Sequence, residues 1–213
     1  DRIGPSNETN VSADFSYTVP TSETYKLSFG VKGSLNFLNV DLLSLTKQDP
    51  NDPRLLTNVS NSFTPNVGAG IYLHSDKTYF GLSVPNILEV KHYDSNTVAS
   101  NNYQARERMN LYAIAGHVFD LSETLKFKPA VLTKVVTGAP LQVDVTGNFM
   151  FNDKFVVGVA YRWSAALSAL VGFQANDSWF IGYGYDREST NLTNYNSGSH
   201  EIFLRYELFN KYD

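Results

Sequence analysis

The chain has 213 residues, of which 42% are hydrophobic, 14% aromatic and 18% charged, with a formal net charge of −4 at pH 7. This charge, together with the lack of a Lys/Arg cluster, argues against nucleic-acid binding. No run of about eighteen apolar residues occurs, which excludes a membrane-spanning helix but leaves open membrane-spanning strands, whose alternation averages out in a hydropathy sum.

The first two predicted strands cover residues 9–19 and 24–37. In the second, apolar residues occupy every odd position from Tyr25 to Phe37, apart from Gly33, whereas Lys26 and Lys32 lie among the polar even positions. This period of two is typical of a strand with one apolar face. A short connection at residues 20–23 makes the two strands antiparallel neighbours.

Two long polar excursions flank the next predicted hairpin. The first spans residues 38–62, where Pro50 and Pro53 oppose strand pairing. A strand at about 64–74 and a turn at 74–77 then lead to a strand that carries Phe80, Leu82 and Val84. Residues 86–106 form the second excursion.

The strand at about 107–119 has an ambiguous register, because two sets of apolar residues compete and His117 falls where an aromatic residue is expected. Alternation is clear again afterwards. It predicts strands at about 125–135, 141–149, 155–163, 167–173, 179–185 and 200–208, with a polar loop at 187–198.

The chain therefore predicts eleven strands and no helix. Tight turns at 20–23, 74–77, 120–123, 152–154 and 175–178 alternate with the longer loops, as in bacterial outer-membrane barrels. The predicted fold is all-β, an antiparallel transmembrane β-barrel. We expect residues 1–213 to form one barrel domain that lacks its N-terminal strands, because the chain opens on a loop-like sequence without an initiator Met. An even strand number is typical of such barrels, so fourteen strands are expected in the full protein.

A soluble β-sandwich would also alternate, but three features favour the membrane barrel. Strands of about eleven residues, tilted by roughly 40°, span about 28 Å, close to the apolar band of such barrels. Aromatic residues gather at both ends of the apolar face, as in interfacial girdles. The strand charges all occupy the polar face, which we predict to line the lumen. These lumen-facing charges are Asp14, Lys26, Lys32, Lys126, Lys128, Lys134, Asp144, Arg162, Glu201 and Arg205, and Glu207 shares their face.

The three lysines of the strand at 125–135 form a notable set. Lys126, Lys128 and Lys134 are expected to lie near Asp14, Asp144 and Glu201, with which they could pair. A charge network that fills the barrel is the favoured interpretation, and a transport or docking site is the alternative.

Several motifs resemble one known family. They are DRIGPSNETN at 1–10, GLSVP at 81–85, VFDLSETLKFKP at 118–129, GAP at 138–140 and NYNSGSHE at 194–201. In this order they are similar to the PorP/SprF family of type IX secretion system outer-membrane proteins of Bacteroidota. The resemblance spans nearly the whole chain, which departs from the family only in lacking its N-terminal third.

The resemblance implies an outer-membrane barrel tied to type IX secretion and, in gliding bacteria, to surface adhesins. It implies as partners a secreted cargo with an adhesin-like C-terminal domain and the periplasmic lipoprotein components of the secretion ring. The membrane itself, with its lipopolysaccharide, is the third expected partner. None of the shared motifs is catalytic.

Two chemical alternatives have weaker support. Ser199 next to His200 invites a serine-hydrolase interpretation, but a loop-to-strand junction explains the residues better. Asp49, Asn51 and Asp52 could bind calcium through their oxygens, yet the neighbouring prolines explain them as turns. We therefore expect neither enzymatic activity nor a cofactor.

The predicted function is export or surface anchoring of a large secreted adhesin-like protein, and a porin-like transporter of small or hydrophobic solutes is the alternative. Tight turns are expected to be periplasmic and long loops extracellular. Partner contacts are expected in the three long loops. The candidate partner-binding residues there are Asp49, Asn51, Asp52, Arg54, Tyr93, Asn194 and Tyr195.

Overall fold

A single antiparallel sheet, which contains thirteen strands, makes up almost all of the regular structure in the computed structural model. The structure describes residues 2–44, 46, 58–89, 108–190 and 197–208. The only helical element in these ranges is a 3-10 turn at Leu42–Ser44. The strands are β1 (Arg2–Ile3), β2 (Ser6–Pro20), β3 (Lys26–Val40), β4 (Val59–His74), β5 (Thr78–Val84), β6 (Asn110–His117), β7 (Phe119–Asp120), β8 (Leu125–Val136), β9 (Gln142–Phe151), β10 (Phe155–Arg162), β11 (Ala166–Gln174), β12 (Trp179–Glu188) and β13 (Ser199–Tyr206).

Each long strand pairs with its neighbour in the chain, so the sheet is an up-and-down meander. All eleven predicted strands are present, and the prediction of an all-β antiparallel fold is confirmed. Two short strands are added: β1 pairs with β2, and β7 pairs with β8. Within the described residues the sheet is open, because no strand pairing joins β13 to β1 or β2. A one-layer meander of this kind is consistent with the wall of a barrel.

The strands around the first long loop extend further than the sequence predicts. β2 begins at Ser6, where Ser6 pairs with Val40 of β3, inside the predicted loops. β4 begins at Val59, and a register shift between Leu38 and Val40 accommodates the extra pairing. Polar residues at both ends concealed these extensions, because alternation weakens where both faces carry polar side chains.

The predicted tight turns are all present, and side-chain caps shape them. Ser22 Oγ accepts hydrogen bonds from the backbone N–H groups of Thr24 and Tyr25, at 3.3 and 3.0 Å. Asn176 Oδ1 accepts equivalent bonds from the second residue after it and from Trp179, both at 3.0 Å. Residues 152–154 use a positive φ at Asn152 and Asp153 instead, as a type I′ hairpin turn requires.

Strand pairing carries the same face of the sheet from β2 to β13. Asp14 pairs with Lys32, Tyr112 with Lys134, and Gly184 with Glu201. We call the face that contains these charges the polar face. The apolar face lies on the other side of the sheet. The ambiguous register of β6 is resolved by its pairing with β8, which places Leu111 and His117 on the apolar face.

The described residues contain almost no hydrophobic core. Only Val40 and Ala166 are buried among the hydrophobic residues, each with 4% exposure. A sandwich would bury Leu27, Val143 and Ile181 between two sheets, but there is one sheet, and Ile181 is 45% exposed. The interpretation as a soluble sandwich therefore fails, since a soluble domain of this size needs a packed interior.

Candidate functional site

The polar face is the surface of the sheet on which charged and polar side chains contact one another. All ten charges predicted to face the lumen lie on it, as the strand registers show. The alternation of side chains along each strand produces this placement, because residues two apart point to the same side.

The best-formed ion pair of the polar face joins β9 and β10. Arg162 Nε donates to Asp144 Oδ1 at 2.7 Å, and Gln142 Nε2 donates to Asp144 Oδ2 at 3.0 Å. The side chain of Asp144 is only 14% exposed, so both carboxylate oxygens are satisfied inside the cluster. Arg162 and Asp144 are also direct cross-strand partners.

The three lysines of β8 have other partners than the sequence suggests. Lys126 Nζ lies 2.5 Å from Asp153 Oδ1 in the next tight turn. Lys128 Nζ lies 5.1 Å from the centre of the Tyr79 ring, and Lys134 Nζ lies 5.7 Å from that of Tyr112. The expected pairing with Asp14, Asp144 and Glu201 is therefore wrong. Alternation assigns a face, whereas the neighbours on that face depend on the register between strands.

The remaining predicted charges are spread along the polar face. Lys26 is the cross-strand partner of His74, and Asp14 is that of Lys32. Glu201 lies opposite Gly184. Arg205 Nε lies 3.0 Å from Glu207 Oε1, and its guanidinium group lies 5.0 Å from the centre of the Phe180 ring.

The residues that follow β5 fold back over the polar face of β4. Asn66 holds them there: its Nδ2 donates to Leu88 O, and its Oδ1 accepts from Leu88 N, both at 3.0 Å. The backbone N–H of Ile87 also donates to Val67 O at 2.8 Å. The second predicted excursion thus begins as a segment, residues 85–89, that is fixed against the sheet.

Gly68 permits this close approach. A Cβ atom at Gly68 would lie 2.4 Å from the Pro85 carbonyl oxygen and 2.9 Å from the Pro85 carbonyl carbon. A larger residue would therefore push the segment 85–89 away from β4. The sequence gave only the proline as a signal, and nothing in the alternation marked Asn66 as its anchor.

The seven predicted partner-binding residues lie outside the described residues. They are Asp49, Asn51, Asp52, Arg54, Tyr93, Asn194 and Tyr195. The possible calcium ligands are among them. Within the part of the chain that the structure describes, no group of three acidic or histidine residues could hold a metal ion.

The serine-hydrolase interpretation does not match the geometry. Ser199 pairs with Asp186 on the polar face, whereas His200 pairs with Tyr185 on the apolar face. The Nδ1 atom of His200 lies 2.6 Å from the hydroxyl of Tyr183. Consecutive strand residues point to opposite sides of a sheet, so this serine and this histidine do not form a nucleophile–base pair.

The apolar face ends in aromatic and titratable side chains. The nine aromatic residues that the sequence places at its two ends are Tyr17, Tyr25, Phe149, Phe155, Phe173, Trp179, Phe37, Trp163 and Tyr185. Arg187 also lies on this face, opposite Leu167, because β12 is longer than predicted. Trp, Tyr and Arg at the ends of an apolar band are typical of membrane–water interfaces.

An exposed ion pair links two of the tight turns. The Lys77 ammonium group donates a hydrogen bond to the Asp120 carboxylate, and this lowers the pKa of Asp120. Both side chains are exposed, so the pair adds little stability in water.

An exposed apolar face, a polar face with internal contacts and a meander of long strands define a class: membrane proteins that are built from β-strands. Among the described residues, a search for a helix able to cross a membrane finds none. The family model for the type IX secretion system membrane protein PorP/SprF matches residues 1–206. The chain therefore belongs to the PorP/SprF family and is a membrane component of the type IX secretion system. A search of curated proteins finds no match to the chain.

Proposed function

We propose that the chain is an outer-membrane β-barrel that assists the export or surface anchoring of a large secreted adhesin-like protein. One observation carries the placement: apolar side chains remain exposed along one whole face of the sheet, from β2 to β13. Lipid tails are the natural solvent of such a face. Membership of the PorP/SprF family supports the role in secretion.

In this proposal the polar face lines the lumen, and the ten charges fill it as a network. The tight turns are periplasmic and meet the lipoprotein components of the secretion ring. The long loops are extracellular and meet the C-terminal domain of the cargo. Short turns at one end and long connections at the other support this orientation.

The orientation of the partner contacts can be tested in the native bacterium. Asp49, Asn51, Asp52 and Arg54 are replaced together by alanine, and surface display of the secreted adhesin is measured with antibodies on intact cells. Loss of display with a normal amount of barrel in the membrane is the expected result. The matched control replaces Glu23, Asp76, Glu123 and Asp177 of the tight turns. Unchanged display in the loop variant would contradict the assignment of the cargo contact.

A second candidate function, transport of small hydrophobic solutes, has one observation in its favour. A cavity of about 560 Å³ opens on the polar face of β3–β8, and Tyr72, Tyr112, Ile114 and Leu132 are among its lining residues. Its size suits a small ligand. Steady ion conductance of the full-length protein in planar bilayers would favour transport, and a closed lumen with a co-purifying cargo would favour the secretion role.

A further inference from the structure

A second cavity, of about 460 Å³, lies on the polar face of β8–β13 near the tight turns. Its lining includes four cationic side chains and, among the described residues, no carboxylate. The cations are Lys126, Lys128, Lys154 and Arg205. Two aromatic rings, Phe180 and Phe203, lie in the same cavity. Sequence reasoning missed these two rings, although each is an aromatic residue at a polar position of an alternating strand.

The two rings form a flat apolar floor because glycines lie beneath them. A Cβ at Gly172 would be 2.3 Å from Phe180 Cζ, and one at Gly182 would be 1.9 Å from Phe203 Cζ. The ring centroids are 5.7 Å apart and the planes are inclined by 27°. The glycines let the rings lie against the backbone, and the space above them remains open.

Arg205 is held at this floor by three contacts. Its guanidinium group lies 5.0 Å from the centre of the Phe180 ring, and its Nη2 lies 3.4 Å from Gln174 Oε1. Its Nε lies 3.0 Å from Glu207 Oε1. An arginine that is stacked on a ring and oriented in this way presents its remaining N–H groups in a fixed direction, as recognition of a carboxylate requires.

The acidic partners of the cavity are too few and too exposed to neutralise it. Asp153 contacts Lys126, and Glu207 contacts Arg205, but both side chains of each pair are exposed. Exposed pairs contribute only about 0–1 kcal/mol, so an incoming anion can replace them. Lys128 contacts the Tyr79 ring, which leaves its charge uncompensated.

We propose that this cavity binds an extended acidic peptide segment of a partner protein. The cations are distributed from β8 to β13, five strand spacings or up to about 24 Å along the sheet, which is too far for a single phosphate group to bridge. Lys126 and Lys128 lie about 6.6 Å apart along β8, which matches the spacing of alternate side chains in an extended peptide. A lipid headgroup is the poorer fit, because the cavity opens on the face opposite the apolar face.

The proposal rests on the proposed function in one respect: the polar face must line a lumen that the partner can enter from the tight-turn end. Peptide binding to the purified protein does not depend on export. The two proposals can therefore fail separately, since loss of peptide binding would leave the secretion role intact.

The test measures binding of fluorescein-labelled oligoglutamate to the purified full-length protein in detergent by fluorescence anisotropy. The variant Lys128→Gln/Lys154→Gln/Arg205→Gln removes three cations of the cavity. The matched control, Lys26→Gln/Lys32→Gln/Lys134→Gln, removes three cations of the same face outside the cavity. We expect the cavity variant to bind at least about tenfold more weakly and the control to stay within about twofold of the wild type.

Three outcomes would overturn the proposal. The first is equal binding by the wild type and the cavity variant. The second is an equal loss in the control variant, which would indicate a diffuse charge effect. The third is displacement of the peptide by inorganic phosphate or by lipopolysaccharide at equal concentration and ionic strength. Phe203→Leu keeps every charge and tests the floor separately: weaker oligoglutamate binding supports the proposal, and unchanged binding contradicts the role of the ring. Heat-modified gel mobility confirms that each variant is folded.

Discussion

The two faces of this sheet are solvated in opposite ways from the surfaces of a soluble protein. On the apolar face, Phe15 and Ile202 are 69% and 79% exposed. On the polar face, Ser34 and Asn66 are 5% and 7% exposed. A soluble domain buries its apolar side chains and exposes its polar ones. The inversion teaches that the free energy of this fold depends on an apolar solvent at the outer surface.

The largest expected effect comes from a charge at the centre of the apolar face. Val159→Lys on β10 should destabilise the folded protein by about 3–4 kcal/mol, because the ammonium group enters the lipid tails. Ala160→Lys, one residue along and on the polar face, should change stability by less than about 1 kcal/mol. Urea titration in lipid vesicles measures both. Equal costs at the two positions would mean that the faces have the same solvent.

The next effect concerns the close approach of residues 85–89 to the polar face. Gly68→Ala should cost about 2–3 kcal/mol, because the new methyl group overlaps the Pro85 backbone. Gly33→Ala is the control, since a Cβ there has no atom within 4 Å. The same titration should show Gly33→Ala to be neutral or slightly stabilising. A cost for Gly33→Ala that matches that of Gly68→Ala would contradict the described contact.

The buried amide of Asn66 should rank third. Asn66→Ala removes two hydrogen bonds to Leu88 and should cost about 2 kcal/mol. It should also increase hydrogen exchange at Leu88, measured by mass spectrometry, and leave the exchange of β10 unchanged. Asn10→Ala, at an exposed position on β2, is the comparison. Uniform exchange across the protein would show that Asn66 does not anchor the segment.

The smallest effect is expected at the ion pair of β9 and β10. Arg162→Gln should cost about 1 kcal/mol, because Arg162 itself is half-exposed and Gln142 still serves Asp144. The loss should shrink as salt concentration rises, since exposed charges are screened. Arg162→Lys should recover part of the stability. A cost that does not depend on salt would indicate that Arg162 acts through packing.

The sequence predicted the strands, the tight turns and the face of each charge, because alternation and turn chemistry are local. It could not predict which side chains meet across strands. Lys128 contacts Tyr79, and Phe203 covers Gly182, because of registers between strands that are separate in sequence. The same limit explains the wrong lysine partners. The ends of β2 and β12 were also missed, because polar residues lie on both faces there.

The exposed apolar face is the central claim, and site-directed spin labelling of β10 in lipid vesicles tests it most directly. The chain contains no cysteine, so single cysteines at 156–161 can be labelled without background. The account predicts that labels at Val157, Val159 and Tyr161 collide with oxygen dissolved in the lipid. Labels at Val156 and Ala160 should instead collide with a water-soluble nickel chelate. The same accessibility at odd and even positions, or the reverse alternation, would contradict it.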